Sequence, residues 1–285
     1  IVAMGVVKGI GRSVSILMPF LFLFILLISM YSSYIGDFNE TIIFLFKPDF
    51  SSITPEVVIS AMGQAFFSLS IGMGAIMAYG AYMPERQVIG KTVLTIIILD
   101  TLVALCAGIA IFPIVFSNTS LEVSAGPGLI FETLPVAFYS LPFGNLFSII
   151  FFTLISIAAL SSSISLLEPF TAWMEEKLKM HRRTIVVCLG FLVWFLGMGS
   201  IFSFNIWSDL KFLGLNFLEL MDYLTNNIML PVGGFFISIF VGWVLPNSLV
   251  QNYVKLNDQL FKIFIFFLKY VSTGAIALIF LYSVL

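Results

Sequence analysis

The chain has 285 residues, of which 60% are hydrophobic and only 10% are charged. Because soluble domains are about half apolar and about a quarter charged, this composition predicts a polytopic membrane protein. The formal net charge of −2 argues against a nucleic-acid partner. Cys106 and Cys188 both lie in apolar segments, where we interpret them as small packing residues rather than as a disulfide.

Seven apolar runs are long enough to cross a bilayer, which takes about 20 residues as a helix. In chain order they lie near residues 14–34, 57–83, 93–116, 146–167, 185–204, 228–245 and 263–285. The sequence therefore predicts an all-α fold with seven transmembrane helices. Between the third and fourth runs, the apolar stretch 128–138 is bordered by Pro127 and interrupted by Pro135. We expect this stretch to form a short re-entrant hairpin on the outer face.

Lysines and arginines are concentrated on one side of the predicted spans. That side carries Lys8, Arg12, Arg86, Lys91, Lys177, Lys179, Arg182, Arg183, Lys255 and Lys262, whereas the other side has only Lys47 and Lys211. Because cytoplasmic loops carry the excess of positive residues, we expect the N-terminus of this chain to be cytoplasmic and its C-terminus to be outside. The expected location is the inner (plasma) membrane of the cell.

The second span contains an unusual concentration of small residues. In the stretch FFSLSIGMGAIMAYGAY (66–82), Ser68, Ser70, Gly72 and Gly74 fall within seven residues. One interpretation is close packing of helices through small side chains. The other is a helix that is broken to hold a ligand, because irregular backbone at membrane depth is tolerated only inside protein or beside a cavity.

Two further spans carry polar side chains. Asp100 lies inside the third span, and it is either a protonated carboxyl that hydrogen-bonds to a neighbouring helix or a cation ligand or proton carrier. Glu168, near the inner end of the fourth span, is either a functional charge within the membrane or a polar residue that reaches the cytoplasmic interface. The fourth span also has five serines, which indicate either close packing or a cation site: Ser156, Ser161, Ser162, Ser163 and Ser165.

Catalysis finds little support in the sequence. The single histidine, His181, lies in the basic loop KLKMHRRT, and no zinc-protease or phosphate-loop motif occurs. We therefore expect a protein that is not an enzyme.

Several motifs resemble those of the neurotransmitter:sodium symporter family, specifically its bacterial amino-acid transporters. GQAFFSLSIGMGAIMAYGAY resembles the family's broken sixth helix, GPGLIFETLP its fourth extracellular loop, ALSSSISLLEP its eighth helix and KGIGRSVSILMPFLF the entry to its fifth. The resemblance implies that residues 1–285 form one transporter domain with helices five to eleven of the leucine-transporter inverted-repeat fold. Residues 57–245 resemble the complete second repeat. The family's first four helices are absent from this chain, and the resemblance implies that transport requires them.

The resemblance also implies a set of binding residues. The substrate pocket would be lined by Phe67, Ser68, Ser70, Met73, Ser162 and Leu166. One sodium ion would be bound by Ser68 and Asp100, and a second by the Ala158 carbonyl, Ser161 and Ser162. Phe67 would close an outer gate, and Asp222 would be the acidic half of a gating ion pair whose arginine lies in the missing first helix.

Asp100 bears on the ion requirement as well. Animal members of the family bind chloride near the first sodium ion, and Gln64 and Ser68 fit that pattern. However, Asp100 stands where those members have a neutral residue, and Ala104 replaces a chloride-binding serine. A fixed carboxylate makes the compensating anion unnecessary, so chloride independence is expected.

The expected function is sodium-coupled import of hydrophobic, including aromatic, L-amino acids by alternating access. An ion channel or a non-transporting membrane scaffold with the same fold is the alternative. A channel predicts a current that does not saturate with amino acid, whereas a scaffold predicts no sodium-dependent ligand binding.

Overall fold

A computed structural model describes residues 1–84, 87–117, 128–139 and 141–284. Regular structure in these ranges is helical, apart from an isolated bridge between Phe212 and Leu215. The α-helices are α1 (Arg12–Ile35), α2 (Phe38–Phe46), α3 (Pro55–Ser68), α4 (Ala75–Ala81), α5 (Ile89–Phe116), α6 (Leu134–Tyr139), α7 (Gly144–Leu178), α8 (Arg182–Phe202), α9 (Phe217–Tyr223), α10 (Leu230–Ile239), α11 (Asn247–Val254), α12 (Asp258–Phe266) and α13 (Thr273–Val284). The all-α prediction is confirmed.

Wider π-helical turns adjoin several of these helices and keep the long helices continuous. They span Val6–Gly11, Leu129–Thr133, Leu224–Met229, Phe240–Val244 and Phe267–Ser272. Including these turns, six helices in the described ranges are long and apolar enough to cross a membrane: Val6–Ile35, Ile89–Phe116, Gly144–Leu178, Arg182–Phe202, Phe217–Val244 and Asp258–Tyr282. The remaining predicted span, 57–83, is divided between α3 and α4, so the chain has the broken helix that the sequence predicts.

The chain forms two compact units. The first unit consists of Ile1–Phe50 and Ile98–Ser165, and the second consists of Ser51–Ile97 and Leu166–Leu285. In the first unit, α1, α5, α6 and α7 share an apolar core in which Ile28, Ile114 and Leu134 are wholly buried. This core accounts for the packing of the longest apolar helices of that unit.

The expected re-entrant hairpin at 128–138 is wrong for the described part of that segment. Residues Leu129–Tyr139 form one short helix, whose Leu134, Ala137 and Phe138 are buried in the core of the first unit. Pro135 lacks an N–H, and the π-helical turn before it gives the proline ring room without ending the helix. Pro127 lies outside the described residues.

In the second unit, α3 begins with strong local signals. The Thr54 hydroxyl accepts a hydrogen bond from the N–H of Val57 at 3.4 Å, and Pro55 occupies the first helical position. Both features favour a helix start at this residue. Helix α3 has fourteen residues and ends at Ser68, directly before the break.

Candidate functional site

The break between α3 and α4 is built from left-handed backbone. Ser70, Gly72 and Gly74 have φ values of 53°, 87° and 81°. Glycine adopts such angles without a steric penalty, whereas a serine in this region is strained. Three left-handed residues in alternation turn the chain away from the helix axis, and Gly74 then precedes the first residue of α4.

This geometry leaves main-chain polar groups open. The N–H groups of residues 69–71 donate back to carbonyls of α3 at 2.9–3.1 Å. The N–H groups of residues 72–74 donate to no backbone carbonyl within the ranges that the structure describes. Because an unpaired amide in a membrane interior costs several kcal/mol, a site of this kind favours a polar ligand.

Glycines on α10 allow the break to pack closely against that helix. A Cβ atom added at Gly233 would lie 2.7 Å from the Gly72 carbonyl oxygen, and one added at Gly234 would lie 2.7 Å from the Phe66 ring. A Cβ at Gly72 itself would meet the Leu230 carbonyl. Gly233 and Gly234 are not among the residues predicted from the sequence, although small residues in the motif PVGGFF indicate a close approach between helices.

The predicted substrate-binding residues divide between the two units. Phe67 and Ser68 occupy the last turn of α3, Ser70 and Met73 lie in the break, and Leu166 lies on α7 within the second unit. The Phe67 side chain is 47% exposed, so it is available to cover a ligand. Ser162 belongs to the first unit, and its place in the pocket stays a prediction.

The residues predicted for the second sodium ion lie together on α7. The Ser161 hydroxyl donates to the Ala158 carbonyl at 2.8 Å, so two of the three predicted oxygen ligands are adjacent. Ser156, Ser163 and Ser165 also donate to carbonyls of the preceding helical turn. Ser162 differs, because its exposed hydroxyl makes no hydrogen bond among the described residues.

The two residues predicted for the first sodium ion belong to different units. Ser68 ends α3 in the second unit, and Asp100 is half-buried on α5 in the first unit. Their joint coordination of one ion stays a prediction. Asp222, the predicted gate residue, is exposed on α9, and its Oδ1 accepts a hydrogen bond from the Asn226 side-chain amide at 2.7 Å.

Glu168 is buried within the protein rather than exposed to solvent. It lies on α7 and forms an ion pair with Arg182 at the start of α8. Arg182 also binds the Glu175 carboxylate at 3.1 Å. The available signal was the arginine fourteen residues later, in the loop KLKMHRRT, which a short interhelical turn brings back onto α7.

A model of the sodium:neurotransmitter symporter family matches residues 1–285. The uncharacterized sodium-dependent transporter YhdH of Bacillus subtilis (strain 168) is 33% identical over 285 residues, covering 99% of this chain and 63% of the relative. An uncharacterized sodium-dependent transporter of Haemophilus influenzae is 35% identical over 283 residues, covering 99% of this chain and 62% of the relative.

A solved structure is similar as well. The crystal structure of MhsT in complex with L-phenylalanine matches with a TM-score of 0.89 and 38% sequence identity, covering 99% of this chain and 65% of the MhsT chain. The present chain therefore spans less than two thirds of the length of these relatives.

Proposed function

Because the chain belongs to the sodium:neurotransmitter symporter family, we propose that it carries helices five to eleven of a sodium-coupled symporter for hydrophobic and aromatic L-amino acids. It is a multi-pass membrane protein, with six described helices of spanning length in addition to the broken one. The import mechanism is alternating access. The N-terminal helices that this chain does not span supply the rest of the site, and transport requires them.

The break at residues 69–74 carries the proposal. Open amides and carbonyls in a broken membrane helix suit a zwitterionic amino acid and a small cation, since free N–H groups attract a carboxylate and free carbonyls bind sodium. Ser70 adds a hydroxyl beside these groups. The N–H groups of residues 72–74 have no backbone acceptor among the described residues, which supports a ligand-binding break over one that serves only packing.

Sodium is the proposed coupling ion, because oxygen ligands suit a hard cation. Ser68 and Asp100 form the first site in this proposal, and Ala158, Ser161 and Ser162 contribute to the second. The membrane potential supplies about 2.3 kcal/mol per charge per 100 mV for inward movement of the ion.

The proposed substrate class rests on the side chains around the break. Phe67, Met73 and Leu166 are apolar, and no matched position carries a charge that would neutralise an acidic or basic side chain. The flexible thioether of Met73 can move aside for larger groups and makes favourable contacts with aromatic rings. Leucine-sized and aromatic amino acids therefore fit this site better than charged ones.

Competition binding tests the proposal on a protein that contains the N-terminal helices as well. A labelled hydrophobic amino acid should bind only with sodium and should be displaced by leucine, phenylalanine or tryptophan. Better displacement by glycine, glutamate or lysine contradicts the substrate class. The absence of sodium-dependent binding supports a scaffold. A current that does not saturate with amino-acid concentration supports a channel.

Asp100→Asn tests the ion requirement of the same protein. The fixed negative charge is lost, so sodium-dependent binding should weaken, and added chloride should restore part of it. At about 4 Å and an effective dielectric constant near 20, the lost attraction is on the order of 4 kcal/mol. Sodium titrations with chloride or gluconate as the anion measure this effect. An unchanged sodium affinity and no chloride response show that Asp100 is not the anion substitute.

A further inference from the structure

Two π-helical turns of the second unit, Phe240–Val244 and Phe267–Ser272, lie side by side around a lysine. The Lys269 ammonium stands 5.9 Å from the centroid of the Trp243 ring. The Tyr270 ring meets Trp243 edge-on at 6.2 Å. Gly242 lets the helices approach, because a Cβ atom there would lie 3.1 Å from the Lys269 side chain. We call these four residues the lysine–tryptophan site.

The site lies at the end of a membrane span. Trp243 is the penultimate residue of the span Phe217–Val244, and Pro246 follows shortly after it. Trp and Tyr are enriched at the membrane–water interface, where their rings sit at the level of the lipid headgroups. Lys269 is itself the twelfth of the 25 residues of the span Asp258–Tyr282, and its long side chain carries the ammonium to within 5.9 Å of the Trp243 ring centroid, toward the headgroups of that leaflet.

The charge of Lys269 is not neutralised within the described chain. The ion pairs found in the described ranges are both made by Arg182, and the recorded partner of the Lys269 ammonium is the Trp243 ring. Asp258, the nearest acidic residue along α12, accepts a hydrogen bond from Gln251 at 2.7 Å. Lys262, about two helical turns before the half-buried Lys269, adds an exposed positive charge nearer the start of the same helix.

Four aromatic side chains at and near the lysine–tryptophan site are exposed. The exposed fractions are 48% for Trp243, 55% for Phe266, 53% for Phe267 and 61% for Tyr270. A cation at headgroup level, bordered by exposed aromatic rings on a membrane helix, is complementary to an anionic headgroup whose acyl chains run along those rings.

We propose that the lysine–tryptophan site binds one anionic phospholipid of the surrounding leaflet. The lipid phosphate pairs with Lys269, Lys262 strengthens the attraction, and the acyl chains lie against Phe266 and Phe267. This is a lipid site on the outer surface of the helices, and it involves none of the residues assigned to substrate, sodium or gating.

Native mass spectrometry of the whole chain tests the proposal, with phosphatidylglycerol and phosphatidylcholine of identical acyl chains as probes. The wild-type chain should retain one phosphatidylglycerol more tightly than phosphatidylcholine. Lys269→Met should reduce that preference about fivefold, the effect of one lysine near an anionic surface. Lys269→Arg should keep it, because guanidinium retains the charge and stacks on Trp243.

Lys211→Met is the matched control, since this exposed lysine lies in the loop between α8 and α9 and should leave the preference unchanged. If Lys269→Met does not fold, Lys269→Gln serves instead, because it keeps a polar side chain of similar reach. Equal retention of the two lipids by the wild-type chain overturns the proposal. So does an undiminished preference in the folded Lys269 variant.

Discussion

Two sites of the second unit differ in whether their polar groups find a partner within the chain. On α7, the wholly buried Glu168 pairs through its Oε2 with Arg182, whose side chain is only 13% exposed, while its Oε1 has no hydrogen-bond partner among the described residues. At the break, by contrast, the N–H groups of residues 72–74 have no backbone acceptor among the described residues. Membrane interiors penalise unpaired polar groups at both places. We call the first site, where a buried charge has its counter-ion within the chain, closed, and the second, whose backbone donors have no backbone acceptor among the described residues, open.

The largest effect should come from breaking the closed site. Arg182→Met leaves the Glu168 carboxylate buried without its cation, and removal of one partner of a buried ion pair costs about 3–5 kcal/mol. The apparent melting temperature of the purified protein should fall strongly, with or without sodium. Thermal unfolding followed by intrinsic fluorescence measures this change.

Arg183→Met is the control for that experiment. Arg183 is the next residue of α8 but is exposed, so its loss should cost less than about 0.5 kcal/mol. Equal melting temperatures for the two variants would mean that Glu168 does not depend on Arg182, and the contrast between closed and open sites would fail.

The second effect concerns the packing of the break. Gly72→Ala places a methyl group against the Leu230 carbonyl and forces alanine to adopt a φ of 87°. The left-handed conformation costs about 1–2 kcal/mol and the overpacking about 1–3 kcal/mol, so a loss of about 2–5 kcal/mol is expected. Gly80→Ala is the control, because nothing lies within 4 Å of its added Cβ in α4. A Gly72 variant as stable as this control contradicts the close approach to α10.

The sequence predicts most of the fold because its signals are local. Apolar runs locate the membrane helices, and the density of serine and glycine in 66–82 locates the break, since glycine alone adopts left-handed backbone freely. The prediction for the apolar stretch 128–138 is wrong, because Pro135 suggests that the helix is interrupted. A neighbouring π-helical turn accommodates this proline, and the helix continues. That adjustment depends on packing in the core of the first unit, which periodicity does not encode.

The candidate site is only partly predictable for a similar reason. The back-bonded serines of α7 follow from their residue type, because serine in a helix commonly donates to the preceding turn. The burial of Glu168 does not follow, since it depends on where Arg182 returns in space. The approach of Gly233 to Gly72 likewise depends on a contact between residues far apart in the chain. Tertiary contacts decide these cases, and a single sequence carries no direct record of them.

A third effect should appear in ion dependence rather than in stability. Replacing Ser161 and Ser162 together by alanine removes two predicted sodium ligands and preserves helix propensity. The sodium concentration for half-maximal binding should rise about tenfold, equivalent to about 1.4 kcal/mol. Ser156→Ala with Ser163→Ala is the matched control on α7. If the sodium titration is unchanged, Ser161 and Ser162 do not bind sodium and serve in helix packing instead.

The smallest effect, and the sharpest test of an open site, comes from Ser70. Its φ of 53° is strained for a serine, and Ser70→Gly relieves about 1–2 kcal/mol of that strain. The greater freedom of glycine in the unfolded chain costs about 0.5–1 kcal/mol, so a net gain in stability of up to about 1.5 kcal/mol is expected. The same change removes the hydroxyl that we propose contacts the ligand, so sodium-dependent amino-acid binding should weaken.

Ser70→Ala separates these two consequences, because alanine keeps the strained Cβ and loses only the hydroxyl. Both variants should bind the labelled amino acid less well, but only the glycine variant should melt at a higher temperature than the wild type. This pattern is expected where backbone strain is retained at a functional site at the expense of stability. If Ser70→Gly gains stability and keeps full ligand affinity, the hydroxyl does not contact the ligand, and the strain at Ser70 serves only the turn between α3 and α4.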